Sequence, residues 1–131
     1  MLEEKVAIAK KVLTNFKNDV KKYTKENKLS ILPPYNELRD KDAIGIIYRA
    51  DQVYYETLND FRTKYNGVIA ILTNYKVDNT NRVLTRQIEG LITIANAEVE
   101  TLKNMIFTAK DRIKFYQNIM YLISNMSFGD F

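Results

Sequence analysis

From Leu84 onward the sequence sets an apolar residue at nearly every third or fourth position: Leu84, Ile88, Leu91, Ala95, Leu102, Ile106, Ala109, Ile113, Tyr116, Met120 and Ile123. Successive helical residues turn by about 100°, so these positions form one stripe along a helix face. A stripe of that length constrains the fold more than any other feature, because it must be covered along its whole extent. Gly90 is the only intrinsic helix breaker within it. An uncut helix over this stretch would be about 65 Å long, at about 1.5 Å per residue, and would point to a coiled-coil oligomer. A compact bundle requires a cut, and the polar residues gathered at Asn96 to Glu100 mark the expected place.

Three further segments precede the stripe. Residues 3–28 repeat Val6, Ala9, Leu13, Phe16, Val20 and Tyr23 in steps of three and four, which predicts an amphipathic helix. Leu29 to Asp42 is a connector in which Pro33-Pro34 blocks helix continuation, since proline lacks an amide donor and pushes the preceding residue out of the α region. It reads as an elbow that lets the first helix swing. From Asp42, a candidate N-cap, helical spacing resumes through Ile47, Ala50, Tyr54, Leu58, Phe61 and Tyr65. Asn66-Gly67 is then a stop signal, because glycine suits the left-handed C-cap position. Val68 to Val77 fits a β-branched strand or a helix by periodicity alone, and the lack of a second strand-like run favours helix. Asp78 to Asn81 supplies turn chemistry and a cap, and the tail from Ser124 to Phe131 reads as a frayed terminus. The expectation is an all-α protein, a helical bundle of the four-helix type with a basic N-terminal helical arm. Residues 1–42 form the basic helix and elbow, and residues 43–131 the body.

Charge is placed unevenly. Residues 1–28 hold eight lysines and four acids, leaving twelve basic and twelve acidic residues for the rest of the 131-residue chain. The whole net charge of +4 therefore belongs to the first helix. Lys10, Lys17, Lys21 and Lys28 fall beside its apolar stripe, and Lys11, Lys22 and Lys25 continue round the adjoining face. Glu3 and Glu4 suit the positive end of the helix dipole, and Lys25 and Lys28 its negative end. One reading of this face is a solvated helix surface. The sharper one is a lysine wall for nucleic-acid phosphates, which attract such charge without reading sequence. Arg39, Lys41 and Arg49 extend the candidate phosphate contacts beyond the first helix.

The chain carries no motif of an enzyme site. It has neither cysteine nor histidine, which removes disulfide and thiolate chemistry and the commonest general base and metal ligand. No Gly-rich phosphate loop, dinucleotide fingerprint or nucleophile elbow occurs, and no cofactor is expected. Glu98 and Glu100 are two apart and so diverge on a helix, while Asp40 and Asp42 flank the connector. Tyr48, Tyr54 and Tyr55 surround Arg49, where they either fill helix seams or stack on bases. No apolar run reaches the roughly 18 residues that span a bilayer, and the acidic start lacks a signal-peptide core, so the expectation is a soluble, unprocessed chain.

Val68-x-Ala70-x-Leu72-Thr73-x-Tyr75-x-Val77 followed by Arg82, with Leu102-x-Asn104-Met105 and Lys110 in the same order further on, resembles a segment of the major coat proteins of rod-shaped and filamentous archaeal viruses, the rudivirus and lipothrixvirus families. The match covers roughly residues 68–110. The resemblance implies a helical-bundle coat protein that clasps linear double-stranded DNA as a dimer with itself or a paralogous coat protein, then stacks into a helical virion filament. In some members that filament carries a lipid envelope. It implies a place in the virion, with assembly in the host cytoplasm. Tyr48-Arg49, Tyr54-Tyr55, Leu58, Ile71-Leu72, Arg82 and Leu91-Ile92 also look like the central hairpin of a phage small-terminase DNA-packaging subunit, which would form a ring of long antiparallel helices. A third expectation is a helical adaptor or regulator that binds a partner helix and no DNA.

Overall fold

A computed structural model describes the backbone of residues 1–29, 41–77 and 79–126, and the side chains of these except residues 41–43 and 125–126. Among the described residues there are three helices and no strand: α1 (Leu2–Glu26), α2 (Lys41–Val77) and α3 (Arg82–Met126). The expected all-α architecture is present. The Pro33-Pro34 elbow and the tail beyond Met126 lie outside the described residues. No described helix is long and apolar enough to cross a membrane.

Two expected breaks are absent. α2 runs straight through Asn66-Gly67, and α3 runs straight through Asn96 to Glu100 as one 45-residue helix of about 67 Å. The magnitudes explain both. Glycine inside a helix costs about 1 kcal/mol relative to alanine, whereas burying a leucine side chain contributes about 1.5–3 kcal/mol. Stopping at Gly67 would forfeit Leu72, which is fully buried, and the half-buried Val68, Ile69 and Tyr75. Cutting α3 near Asn96 would break a stripe in which Ala95, Val99 and Leu102 are all buried. The polar residues that suggested the cut are accommodated outside, with Asn96 and Glu100 exposed. Among the described residues three helices therefore stand where a bundle of the four-helix type was expected, and the helix assignment for Val68 to Val77 holds without its Asn66-Gly67 boundary.

The turn between α2 and α3 is built from asparagines. Asn81 Oδ1 accepts from the backbone N–H of Val83 (3.0 Å) and Leu84 (3.2 Å), satisfying two donors that a helix start leaves free. Asn79 braces it, accepting from Asn81 N–H at 3.1 Å and donating to the Thr85 hydroxyl at 2.9 Å. At the other end of the hairpin α2 begins at Lys41, so Asp42 lies inside the first turn and not at the expected cap.

α1 lies on the turn-proximal half of this hairpin. Lys5 sits 6.0 Å from the Tyr75 ring, Phe16 meets Tyr65 edge-on at 5.4 Å, and Tyr23 stacks on Tyr54 at 6.0 Å. These pairs descend along α2 as α1 ascends, so α1 is antiparallel to α2 and parallel to α3. Val6, Ala9 and Leu13 join Leu58, Tyr65, Leu72, Leu84, Ile88 and Leu102 in one core. The basic helix is thus a wall of the bundle, and the boundary drawn at residue 42 falls just beyond the undescribed connector. α1 ends where Asn27 turns to extended backbone (φ −128°, ψ 122°) and donates its N–H to Tyr23 O at 2.8 Å.

About one turn along α2 from the Tyr23–Tyr54 contact, the hairpin buries an ion pair. Asp51 is 1% exposed, with its carboxylate 3.3 Å from Arg112 Nε, and Arg112 Nη2 donates to the buried Tyr116 hydroxyl at 2.6 Å. Breaking such a pair from one side leaves an uncompensated charge. We expect Asp51→Ala to destabilise the chain by about 3 kcal/mol, the low end for buried pairs because Arg112 keeps some solvent access. Urea denaturation checks this. Gly67→Ala should do the opposite. An added Cβ meets nothing within 4 Å and the backbone is helical, so a gain of about 0.5–1 kcal/mol is expected in the same assay.

Candidate nucleic-acid interface

With Phe16 and Tyr23 turned toward α2, helical geometry sends the lysines of α1 to the opposite edge and the outer surface. Lys10 and Lys17 border a groove between α1 and α3 whose floor is Leu13, Leu91 and Ala95. Lys21, Lys22 and Lys25 surround a shallow depression with Asn18 and Glu26. Lys11 projects from the outer surface, and Lys28 follows just past the helix end. All seven are exposed. From Lys10 to Lys25 the wall spans about 22 Å at about 1.5 Å per residue, comparable with six or seven phosphates of one DNA strand at about 3.4 Å each.

Ion pairing separates these lysines from the other charges. Lys17 reaches Glu98 at 3.9 Å, while Lys76 pairs with Glu89 and Lys103 with Glu100. Among the described residues, Lys10, Lys11, Lys21, Lys22, Lys25 and Lys28 form no ion pair with any acid. Exposed lysines without a local partner keep their full charge for a ligand and pay no desolvation in waiting.

The remaining candidates are placed differently. Arg39 and the side chain of Lys41 lie outside the described residues. Arg49 is exposed, but it stands nine residues before the buried Leu58, half a turn away on α2, and so faces away from the lysine wall. The tyrosines near it fill seams: Tyr54 is buried against Tyr23, and Tyr48 Oη accepts from Gln117 at 3.1 Å. One cation that the sequence reading passed over joins the groove. Arg86 borders the same cavity of about 440 Å³ as Lys10, beside Val6, Gly90 and Leu91. Only the parallel register of α1 on α3 brings the two together, so no local signal in the sequence points to it.

No group of three or more acidic, cysteine or histidine side chains converges on a metal position among the described residues. Glu98 and Glu100 diverge, one to Lys17 and the other to Lys103. No family model, curated protein or solved structure matches the chain.

Tyr65 forms part of the groove wall, and its buried hydroxyl has no hydrogen-bond partner among the described residues. Burial first, then the Glu98 and Asp19 carboxylates, pushes its ionisation up to about 12 from an ordinary value of 10.0. A phenol that ionises less readily in the folded chain contributes stability that is intact below pH 10 and is lost as pH rises from 10 toward 12. Tyr65→Phe should be at least as stable as wild type at neutral pH, since it loses no hydrogen bond and removes a buried hydroxyl left unpaired. Between pH 10 and pH 12 it should lose less stability than wild type, as thermal melts across that range would register.

Proposed function

We propose that the protein is a structural subunit that binds double-stranded DNA without sequence preference through the lysine face of α1 and assembles with further copies along it. The observation that carries this is the row of exposed α1 lysines, of which only Lys17 has an acidic partner among the described residues, on a helix seated by the burial of Val6, Ala9 and Leu13. A helix fixed in this way presents its charges without having to order on binding, which reduces the entropy lost in the complex. The sequence carries no recognised catalytic motif, and that supports reading the protein as a structural subunit.

The coat-protein reading rests on the likeness at residues 68–110 and on this wall, and it places the assembled filament in a virion. A specific observation favours the second reading, a ring-forming DNA-packaging subunit. The unbroken 45-residue α3 lies against a 37-residue α2, the long antiparallel hairpin that such a ring requires. Both readings share the DNA contact and differ in assembly. Negative-stain images with linear DNA distinguish them: filaments support the coat, closed rings the packaging subunit, and discrete particles neither.

The DNA contact has its own test. Binding to random duplex should weaken steeply with salt, with about 0.9 in log–log slope for each phosphate neutralised. Replacing Lys10, Lys17, Lys21 and Lys28 together by Gln should reduce that slope by about 3, a little under four phosphates' worth because Lys17 already has Glu98 nearby. Fluorescence anisotropy across a salt series measures it, and an unchanged slope and affinity would refute the contact.

A further inference from the structure

The end of the α2–α3 hairpin farther from its turn gathers a second set of aromatic and cationic side chains, apart from the lysine face of α1. Tyr48, Gln52 and Tyr55 of α2 and Lys110, Lys114 and Gln117 of α3 line one cavity of about 290 Å³. Its position follows from helix geometry. Tyr54 meets Tyr23 of α1, and at about 100° per residue Tyr48, Gln52 and Tyr55 stand about 100–160° round α2 from it. The cavity therefore opens on the side of the hairpin turned away from α1.

Each wall contributes a different chemistry. Tyr48 and Tyr55 are seven residues apart, about 10.5 Å along α2, and share one side of it with Gln52 between them. Both are half-buried, and among the described residues neither ring has an aromatic or cationic partner, unlike Tyr23, Tyr54, Tyr65 and Tyr75. Gln117 donates to the Tyr48 hydroxyl at 3.1 Å and so holds that ring in place across the seam. On the facing wall Lys110 and Lys114, one turn apart, are exposed and form no ion pair among the described residues. Glu56 is the one acid of the lining, against these two cations. Arg49, which the lysine wall leaves unused, lies seven residues before Glu56 and so on the same side of α2.

Rings, amides and ammonium groups facing one small space match the parts of a nucleotide: a ring stacks on the base, an amide meets its edge, and the ammonium groups take the phosphate. An aliphatic anion would engage the lysines alone. A duplex offers no free base face, because its bases stack on one another. The volume is close to the lower bound of about 300 Å³ for small-molecule sites, which suits one nucleotide unit.

We propose that this cavity binds an unpaired nucleotide, with its base on Tyr55 and its phosphate at Lys110 and Lys114. The same chemistry serves a free nucleotide and an unpaired residue of a single strand. The site goes beyond the duplex contact proposed for α1 and does not rest on it.

Equilibrium dialysis tests it on the full chain with Lys10, Lys17, Lys21 and Lys28 changed to Gln, which removes the lysine wall from the measurement. The probes are deoxyadenosine monophosphate and a single-stranded oligodeoxyadenylate, each beside its base-free counterpart, deoxyribose phosphate and an abasic oligomer. At least one base-bearing probe should bind saturably, and the tighter of the two identifies the source. Its base-free counterpart should bind at least about fivefold more weakly, the low end for loss of one base–aromatic stack. Tyr55→Leu in the same background keeps an apolar side chain against the core and should erase that preference. Lys110→Gln with Lys114→Gln should weaken both members of the pair. The lysine variant alters only exposed positions, so it decides the matter if Tyr55→Leu loses its helical circular dichroism. No saturable binding of either base-bearing probe, no preference over the base-free one, a preference that survives in folded Tyr55→Leu, or affinity unchanged by the lysine pair overturns the assignment.

Discussion

The seam between α2 and α3 is the interaction on which the other features depend. Leu58, Leu72, Ile88, Ala95, Leu102 and Ala109 are essentially inaccessible to water, and they occur along almost the whole hairpin without a gap. Neither helix has the propensity to hold its length alone, since each contains internal glycine and many β-branched or asparagine residues. Each is continuous because the other covers its stripe. The asparagine turn fixes the register at one end, and the Asp51–Arg112 pair fixes it near the other.

α1 uses this platform and does not build it. Its three buried residues and the aromatic contacts of Phe16 and Tyr23 seat it on half of the hairpin, with its orientation set by which face is apolar. Once that face is down, the lysines have no choice of direction. Docking thus converts a charge asymmetry in sequence into a charged surface at a fixed place, where among the described residues only Lys17 of the seven lysines makes an ion pair. The same docking leaves the α1–α3 groove partly open, and the groove is where cation, apolar floor and unpartnered hydroxyl adjoin.

What the sequence made legible was local. The helical periodicity of the first segment, the direction of its lysines and the capping role of Asn81 follow from spacing and residue type, and the structure has them, while Asp78 lies outside the described residues. The misread points were also local signals, each overruled by burial that periodicity displays but does not weigh. Asn66-Gly67 is a good stop by residue type, yet it lies between Tyr65 and Leu72, whose burial outweighs one glycine. The acids of Asn96 to Glu100 looked like a break because composition was read without asking which side of the helix they occupy. Asp51 and Arg112 are 61 residues apart, and nothing short of the α2–α3 register brings them together. Arg86 was missed for the same reason.

The central claim is that a docked α1 offers its lysine face to DNA phosphates. Amine-reactive labelling read by mass spectrometry, with and without duplex DNA, tests it residue by residue. Protection should concentrate at Lys10, Lys11, Lys21, Lys22, Lys25 and Lys28, with a smaller change at Lys17 beside Glu98, while Lys64, Lys103 and Lys114 label equally in both states. Protection spread evenly over all exposed lysines, or confined to α2 and α3, would contradict it.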